Sequence, residues 1–556
     1  MRTKYVVTNI SALKTKYGAG YAQLDAALKR LIAGDAARKI TTTVWDVSDA
    51  ATMKQVGGRK VSKIGDPKQN KEAIDAIFRR DHPPDYLLLL GSIDVIPHQD
   101  LTNPVTPQQD PKNPDLDTYA WGDLPYACEG AYSTDIPDFL APTRVVGRLP
   151  DVTGATDPKY LVRLLDNAAT WVSLAPSQYD HCFALSAGVF EGSTRSSIKK
   201  IFGKGLKMFV SPNDGPQWNK GELRPLMHFI NCHGDTGRMS FYGEDPRTRK
   251  RPECYKTMFL RKRIRRGTVA AAICCYGAEL YEPGTQNTDK ERGICQEYLH
   301  NAAYGFFGST TIAYGEFETM ANADILCAMF LKHVRNGDSL GLAALKARQD
   351  FVKQADRFNP LAQKTLAQYN LLGDPSIHPV HPNAKATSTD IRLPQGRLGI
   401  QSVVSIAEAQ PKLDDGYRRR RAQMAKRGPQ IASQTTLVKI TGIADEDAAS
   451  RARTAVEQYG AHPTQVFATE IIPPAVEPAS IRKAARPNRI FLVTNTAPPI
   501  QRAEVAEPRR GHDFSICVVH ERADGSMKVV RQLVAHSSQS NPSPSNCATS
   551  PSASTN

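Results

Sequence analysis

Phe229-Ile-Asn-Cys-His-Gly-Asp235 and Ala270-Ala-Ala-Ile-Cys-Cys-Tyr-Gly277 are the two strings that decide how this chain folds. Each is a short apolar run that stops on a reactive side chain followed closely by glycine. Continuous apolar runs of this length are expected of strands covered on both faces. In open parallel sheets, functional side chains collect where strands leave their carboxyl ends. The first run delivers His233 there, and the second delivers Cys275 or its neighbour Cys274. The stretch between them is long enough for a loop and one crossover helix joining neighbouring strands. Gly234 lets its backbone N–H approach a carbonyl, and Gly277 permits a tight exit turn. A thiol and an imidazole so placed are the two parts that nucleophilic catalysis by cysteine needs. The N–H groups of Gly234 and Cys275 would supply an oxyanion hole.

Other readings of the same residues compete. A cysteine buried at a strand end is often just a small hydrophobe. Cys232, His233, Cys254, Cys274 and Cys275 lie close in sequence, but no C-x-x-C or H-x₃-H pair accompanies them, and adjacent cysteines chelate one tetrahedral ion poorly. Gly18-Ala-Gly20 lacks the third glycine of a dinucleotide fingerprint and begins too far from the first strand. No cofactor and no metal is therefore expected.

Outward from the two strings, short apolar runs alternate with amphipathic segments over the first 380 or so residues. That alternation predicts an α/β fold with a mainly parallel sheet. Strands are expected at Lys4–Thr8, Thr41–Val47, Tyr86–Gly91, Arg144–Arg148, His181–Ser186, Leu226–Cys232 and Thr268–Cys274. Helical spacing marks Ala22–Ile32, Lys71–Arg79, Lys159–Trp171, Ser193–Ile201, Met320–Val334 and Ser339–Gln354. The expected organisation is two side-by-side α/β subdomains, 1–150 and 151–383, with Gly373-Asp374-Pro375 as a turn before a last short strand. A basic flexible linker follows over 384–433, then a small α+β domain over 434–536 and a disordered Ser/Pro/Asn-rich tail over 537–556.

At 556 residues the chain is too long for one core, and 40% hydrophobic residues suffice for several. The net charge of +15 sits in local clusters such as Arg261–Arg266 and Arg418–Arg421, without interleaved stacking aromatics or zinc-finger spacing. Nucleic acid is therefore not the expected partner. No apolar stretch approaches the ~20 residues that cross a bilayer, so no membrane role is expected. The start, Met1-Arg-Thr-Lys-Tyr-Val-Val7, shows no apolar signal core. Ten cysteines at irregular spacing do not form a secreted disulfide pattern, and together these features predict a cytoplasmic, reducing location.

Six elements in order resemble the caspase-like cysteine peptidases of clan CD, and within it most closely the gingipain-like family. They are Tyr86-Leu-Leu-Leu-Leu-Gly91 with Asp94-Val-Ile-Pro97, Val146-Gly-Arg-Leu-Pro150, Leu185-Ser-Ala-Gly188 with Gly192-Ser-Thr194, the His-Gly string, the Cys-x-Gly string, and Leu371-Leu-Gly-Asp-Pro375. The resemblance covers about residues 80 to 380. The chain departs from the caspase Gln-Ala-Cys-Arg-Gly signature, since Ile273-Cys-Cys-Tyr-Gly277 keeps only Cys-x-Gly, a register that favours Cys275 over Cys274.

The resemblance implies a cysteine endopeptidase in which Cys275 attacks the scissile carbonyl and His233 protonates the leaving amine. Asp123 and Glu129 are the candidate carboxylates to orient the histidine. The gingipain likeness implies an acidic reader of a P1 Arg or Lys, with Asp135, Asp138 and Asp235 as candidates; a caspase-like taste for Asp would instead need Arg195 or Arg238. It further implies protein substrates, latency until activation by an upstream protease or regulatory protein, and a role in a bacterial defence or cell-death cascade. The tetra-arginine run is the expected processing site. A catalytically inert scaffold that binds a partner is the reading from another class.

Overall fold

The computed structural model describes residues 2–80, 83–105, 115–285, 287–355 and 359–381, and in the C-terminal part 437–443, 446–457, 463–472, 489–496, 512–521 and 527–537. The chain separates into two compact units, 1–412 and 413–556. The expected linker, its tetra-arginine run and nearly all of the expected tail lie outside the described residues.

The strands of the first unit are β1 (Arg2–Thr8), β2 (Ile40–Asp46), β3 (Tyr86–Leu90), β4 (Gln99–Thr102), β5 (Tyr119–Gly122), β6 (Val146–Leu149), β7 (Cys182–Ala187), β8 (Phe209–Ser211), β9 (Met227–Asn231), β10 (Ser240–Tyr242), β11 (Glu253–Lys256), β12 (Val269–Ile273), β13 (Gly305–Ser309) and β14 (Tyr369–Gly373). Ten of them form one sheet in the order β2-β1-β3-β6-β14-β13-β12-β9-β7-β8. Every described pairing in it is parallel except β13 with β14. The fold is thus α/β with a mainly parallel sheet.

Alternation explains why these strands read as unbroken apolar runs. On β12, Ala270 and Ala272 enter one core and Val269, Ala271 and Ile273 the other; on β9, Ile230 and then Phe229 divide the same way. Both faces of the sheet are covered, so no polar period survives in the sequence. The two halves meet edge to edge where Leu372 of β14 pairs with Arg148 of β6. Lys4, fully buried on β1, reaches Asp35 at 2.5 Å and Asp374 at 2.7 Å, fastening the Leu-Gly-Asp-Pro segment to the first subdomain.

Two local expectations are corrected. The last strand precedes the Gly373-Asp374-Pro375 turn instead of following it, because Tyr369–Gly373 takes the slot beside β13. Between β9 and β12 the chain does not form a full crossover helix. It makes the antiparallel hairpin β10–β11 and a four-residue helical turn, Thr257–Leu260.

Among the described residues, the second unit holds a five-stranded antiparallel sheet, β15 (Leu437–Ile443), β16 (Pro463–Ile472), β17 (Arg489–Thr496), β18 (His512–Glu521) and β19 (Met527–Ser537), in sequential order, with the helix Glu446–Glu457. Among the described residues, no helix is long and apolar enough to cross a membrane.

Candidate active site

β9 and β12 are neighbours in register, with Asn231 opposite Ile273, so the residues just past them emerge at the same edge of the sheet. Beyond β9, His233 pairs as an isolated antiparallel bridge with Tyr242, each N–H donating to the other's carbonyl at 2.9 Å. That bridge fixes the histidine backbone against the β10–β11 hairpin. Beyond β12, Cys274 turns into the core, where its Sγ lies 4.0 Å from the Ile230 carbonyl, while Cys275 is only partly covered.

The backbones of Gly234 and Cys275 touch. A Cβ on Gly234 would sit 1.9 Å from the Cys275 carbonyl oxygen, closer than any real Cβ contact. This is the physical reason for glycine after His233, and it brings the Gly234 N–H to bear on the Cys275 thiol. Ala313 also lies against the thiol, its N–H 3.4 Å from Sγ and its carbonyl 3.7 Å away.

The carboxylate beside the histidine is Glu244, on the hairpin loop. His233 Nε2 lies 2.6 Å from Glu244 Oε2, close but not aligned as a linear hydrogen bond. Glu244 is 1% exposed and is neutralised by Arg249 Nε at 2.7 Å and Arg251 Nε at 2.8 Å. Phe190 packs against the imidazole at 5.0 Å between ring centroids, and Phe317 stacks on Phe190 at 5.6 Å.

Electrostatics leave both reactive groups neutral at rest. Burial lowers the His233 pKa, helped by Arg251 and opposed by Glu244. Burial likewise raises the Cys275 thiol, opposed by the Ala313 and Gly234 N–H groups and by Lys364. No resting thiolate–imidazolium pair is favoured, and activation needs the proton to move when a carbonyl arrives.

Asp123 does not orient His233: it is buried in a pair with Arg148 (2.6 and 2.8 Å) and with His98 Nδ1 at 2.9 Å. Burial alone would raise its pKa, but Arg148 and His98 outweigh that and hold it well below the carboxylate range. Glu129 is exposed, accepts a hydrogen bond from Thr143, and likewise stands apart from the histidine. Both expectations followed proximity to Arg148 in the chain, and the arginine uses Asp123 structurally. Asp138 is nearly buried in the turn Ile136–Phe139, and Asp135 heads that turn, in a loop tied to β4 through Thr102 N–H and the Thr134 carbonyl. Asp235 is exposed beside His233, with its Oδ1 accepting the Thr236 N–H. Arg195 is held by Glu191, and Arg238 lies near Asp235 and Asp289.

Glu244, Glu279 and Asp117 were not picked out from the sequence. Glu279 accepts the Gly237 N–H at 2.7 Å and the Thr236 hydroxyl at 2.9 Å, and burial raises its pKa. Asp117 accepts the Tyr276 hydroxyl at 2.7 Å. Among the described residues, no group of three or more His, Cys, Asp or Glu is placed to hold a metal ion.

No family model and no curated protein matches this chain. Among solved structures it is similar to the Arg-specific cysteine proteinase gingipain R, at 10% identity and a TM-score of 0.43 over 68% of this chain and 78% of that one. It is also similar to the complex of Porphyromonas gingivalis RgpB pro- and mature domains, at 9% identity and 0.41 over 96% and 99%. A third likeness is to the Saccharomyces cerevisiae separase–securin complex, at 14% identity and 0.27 over 42% and 14%. These likenesses are distant, and the chemistry is carried by the placement of this chain's own residues.

Proposed function

We propose that this chain is a cysteine endopeptidase acting through Cys275 and His233. The observation that carries the reading is the contact of Gly234 with Cys275, which sets a thiol and an imidazole on adjoining strand ends with a backbone N–H aimed at the sulfur. As a peptide carbonyl approaches, the Cys275 proton passes to His233 while the S–C bond forms. The oxyanion is taken up by the backbone N–H groups at Gly234 and Cys275. His233 returns the proton to the leaving amine as the C–N bond breaks, and water then hydrolyses the thioester. Glu244 steadies the imidazolium that exists between those steps.

Cleavage after Arg or Lys is the specificity we propose. Asp235, exposed just after His233, and Glu279, which accepts the Gly237 N–H, are the carboxylates flanking this segment; of the basic alternatives, Arg195 is held by Glu191, and Arg238 lies 3.8 Å from Asp235 and 3.4 Å from Asp289. A carboxylate pairs bidentately with a guanidinium. Latency is supported by the burial that raises the Cys275 thiol pKa. Activation by a cut at Arg418–Arg421, in a cytoplasmic defence or cell-death cascade, completes the proposal.

An Arg-directed acyloxymethyl-ketone probe tests the enzyme against the inert scaffold. Labelling lost in Cys275→Ala supports the peptidase; no labelling of full-length or linker-cleaved protein would assign the fold to partner binding.

A further inference from the structure

We propose that Asp117 is a positioning residue for Cys275, gripping with one carboxylate both the turn that carries the nucleophile and the segment facing its sulfur. The proposal rests on the cysteine-peptidase reading. Tyr276, the residue after Cys275, has φ +56°, a left-handed conformation unusual for a bulky side chain. Such a residue keeps that conformation only where its surroundings over-determine it. Here its N–H donates to the Thr311 carbonyl at 2.9 Å, and its hydroxyl donates to Asp117 Oδ1 at 2.7 Å.

The second oxygen of the same carboxylate holds the segment that meets the sulfur. Asp117 Oδ2 accepts the Ile312 N–H at 2.9 Å, and the next residue is Ala313, whose N–H meets Cys275 Sγ. A shift of Asp117 would therefore move together Tyr276, the residue after the nucleophile, and Ala313, whose backbone meets its sulfur.

Asp117 is itself held from behind. Lys364, fully buried on the helix Pro360–Gln368, lies 2.7 Å from Asp117 Oδ2 and 2.5 Å from Asp115 Oδ2. Asp115 Oδ1 accepts the Asp117 N–H at 3.0 Å, and Asp115 Oδ2 accepts the Tyr314 hydroxyl at 2.5 Å. Two carboxylates sharing one buried ammonium are a poor way to gain stability, because desolvation offsets the attraction. They are a good way to hold a geometry. The two charges also act on the thiol in opposite senses, Lys364 favouring the thiolate and Asp117 opposing it.

That opposition makes the role testable. Tyr276→Phe deletes one hydroxyl, and Asp117→Asn keeps the shape but removes the charge; Leu116→Ala, at a side chain 78% exposed in the same segment, is the control. In the full-length protein, intact and after cleavage of its linker, the iodoacetamide alkylation rate of Cys275 is followed against pH by peptide mass spectrometry, beside kcat and KM on a fluorogenic peptide. Asp117→Asn is expected to titrate the thiol at lower pH and yet to lower kcat by about tenfold or more. Tyr276→Phe is expected to lower kcat similarly, with KM and thermal midpoint near wild type and a severalfold change in the alkylation plateau. Wild-type kcat and an unchanged plateau in both variants would overturn the proposal, as would equal losses in Leu116→Ala. If the wild type cleaves no peptide either intact or after cleavage of its linker, the peptidase reading fails, and the alkylation plateau of Tyr276→Phe alone decides whether Asp117 positions Cys275.

Discussion

His233 Nε2 lies 2.6 Å from Glu244 Oε2, and two arginines, Arg249 and Arg251, close on the same carboxylate. Glu244 therefore has two opposing jobs. It stabilises an imidazolium, while the arginines keep its charge from holding the ring protonated at rest. Glu244→Gln removes the contribution that raises the histidine pKa and leaves Arg251, which lowers it. The acid limb of the kcat/KM profile should move to lower pH. The value of kcat should fall by about tenfold or more, part of the ~10²–10⁴ that a positioned acid–base group supplies. A pH–rate profile of the two proteins checks both signs.

Gly234→Ala places a Cβ 1.9 Å from the Cys275 carbonyl oxygen, a backbone atom that cannot swing aside. The expected result is a loss of about 1–3 kcal/mol in stability, the usual range for overpacking. Thermal unfolding reads that loss. Activity should fall further than stability does, because the displaced atoms belong to the nucleophile's own residue.

Phe317 is 52% exposed and stacks on Phe190, which packs on His233. Phe317→Ala should leave stability within about 0.5 kcal/mol, as for most surface changes. It should lower kcat/KM most for peptides with a bulky apolar residue next to the scissile bond. A peptide library cleaved by both proteins measures the difference.

His228, on β9 below the active site, donates from Nε2 to the Pro225 carbonyl at 2.9 Å and accepts the Tyr298 hydroxyl at Nδ1, 2.7 Å away. Burial pushes its pKa down to about 4. The unfolded chain then binds more protons below pH 6.5, so this group's stabilisation is complete above that pH and is lost as pH falls toward 4. The amount is roughly 3 kcal/mol. Asp324, raised to about 6 by burial, acts in the opposite sense between about pH 4 and 6. Nuclear magnetic resonance should show no titration of His228 above pH 5, which isolates its contribution.

The strand ends at His233 and Cys275 were legible because strands covered on both faces leave unbroken apolar runs, and a reactive residue before glycine stands out after them. The hairpin that supplies Glu244 was not. Its strands span three and four residues and are joined by Gly243-Glu-Asp-Pro246 and a run of arginines, which reads as a charged loop. The helix Pro360–Gln368 escaped for another reason. Ala362 through Gln368 are all buried, Lys364 included, so no amphipathic period marks it. Asp117 meets Tyr276 across 159 residues, a pairing that only the folded sheet creates.

The central claim is that Cys275 is the nucleophile, and a fluorogenic peptide panel varied at P1 tests it most directly. The full-length protein, intact and after cleavage of its linker, is compared with Cys275→Ala and Cys274→Ala. Cys275-dependent hydrolysis after Arg or Lys, retained in Cys274→Ala, is the predicted result. Hydrolysis that survives Cys275→Ala, or none by wild type in either state, would contradict the account.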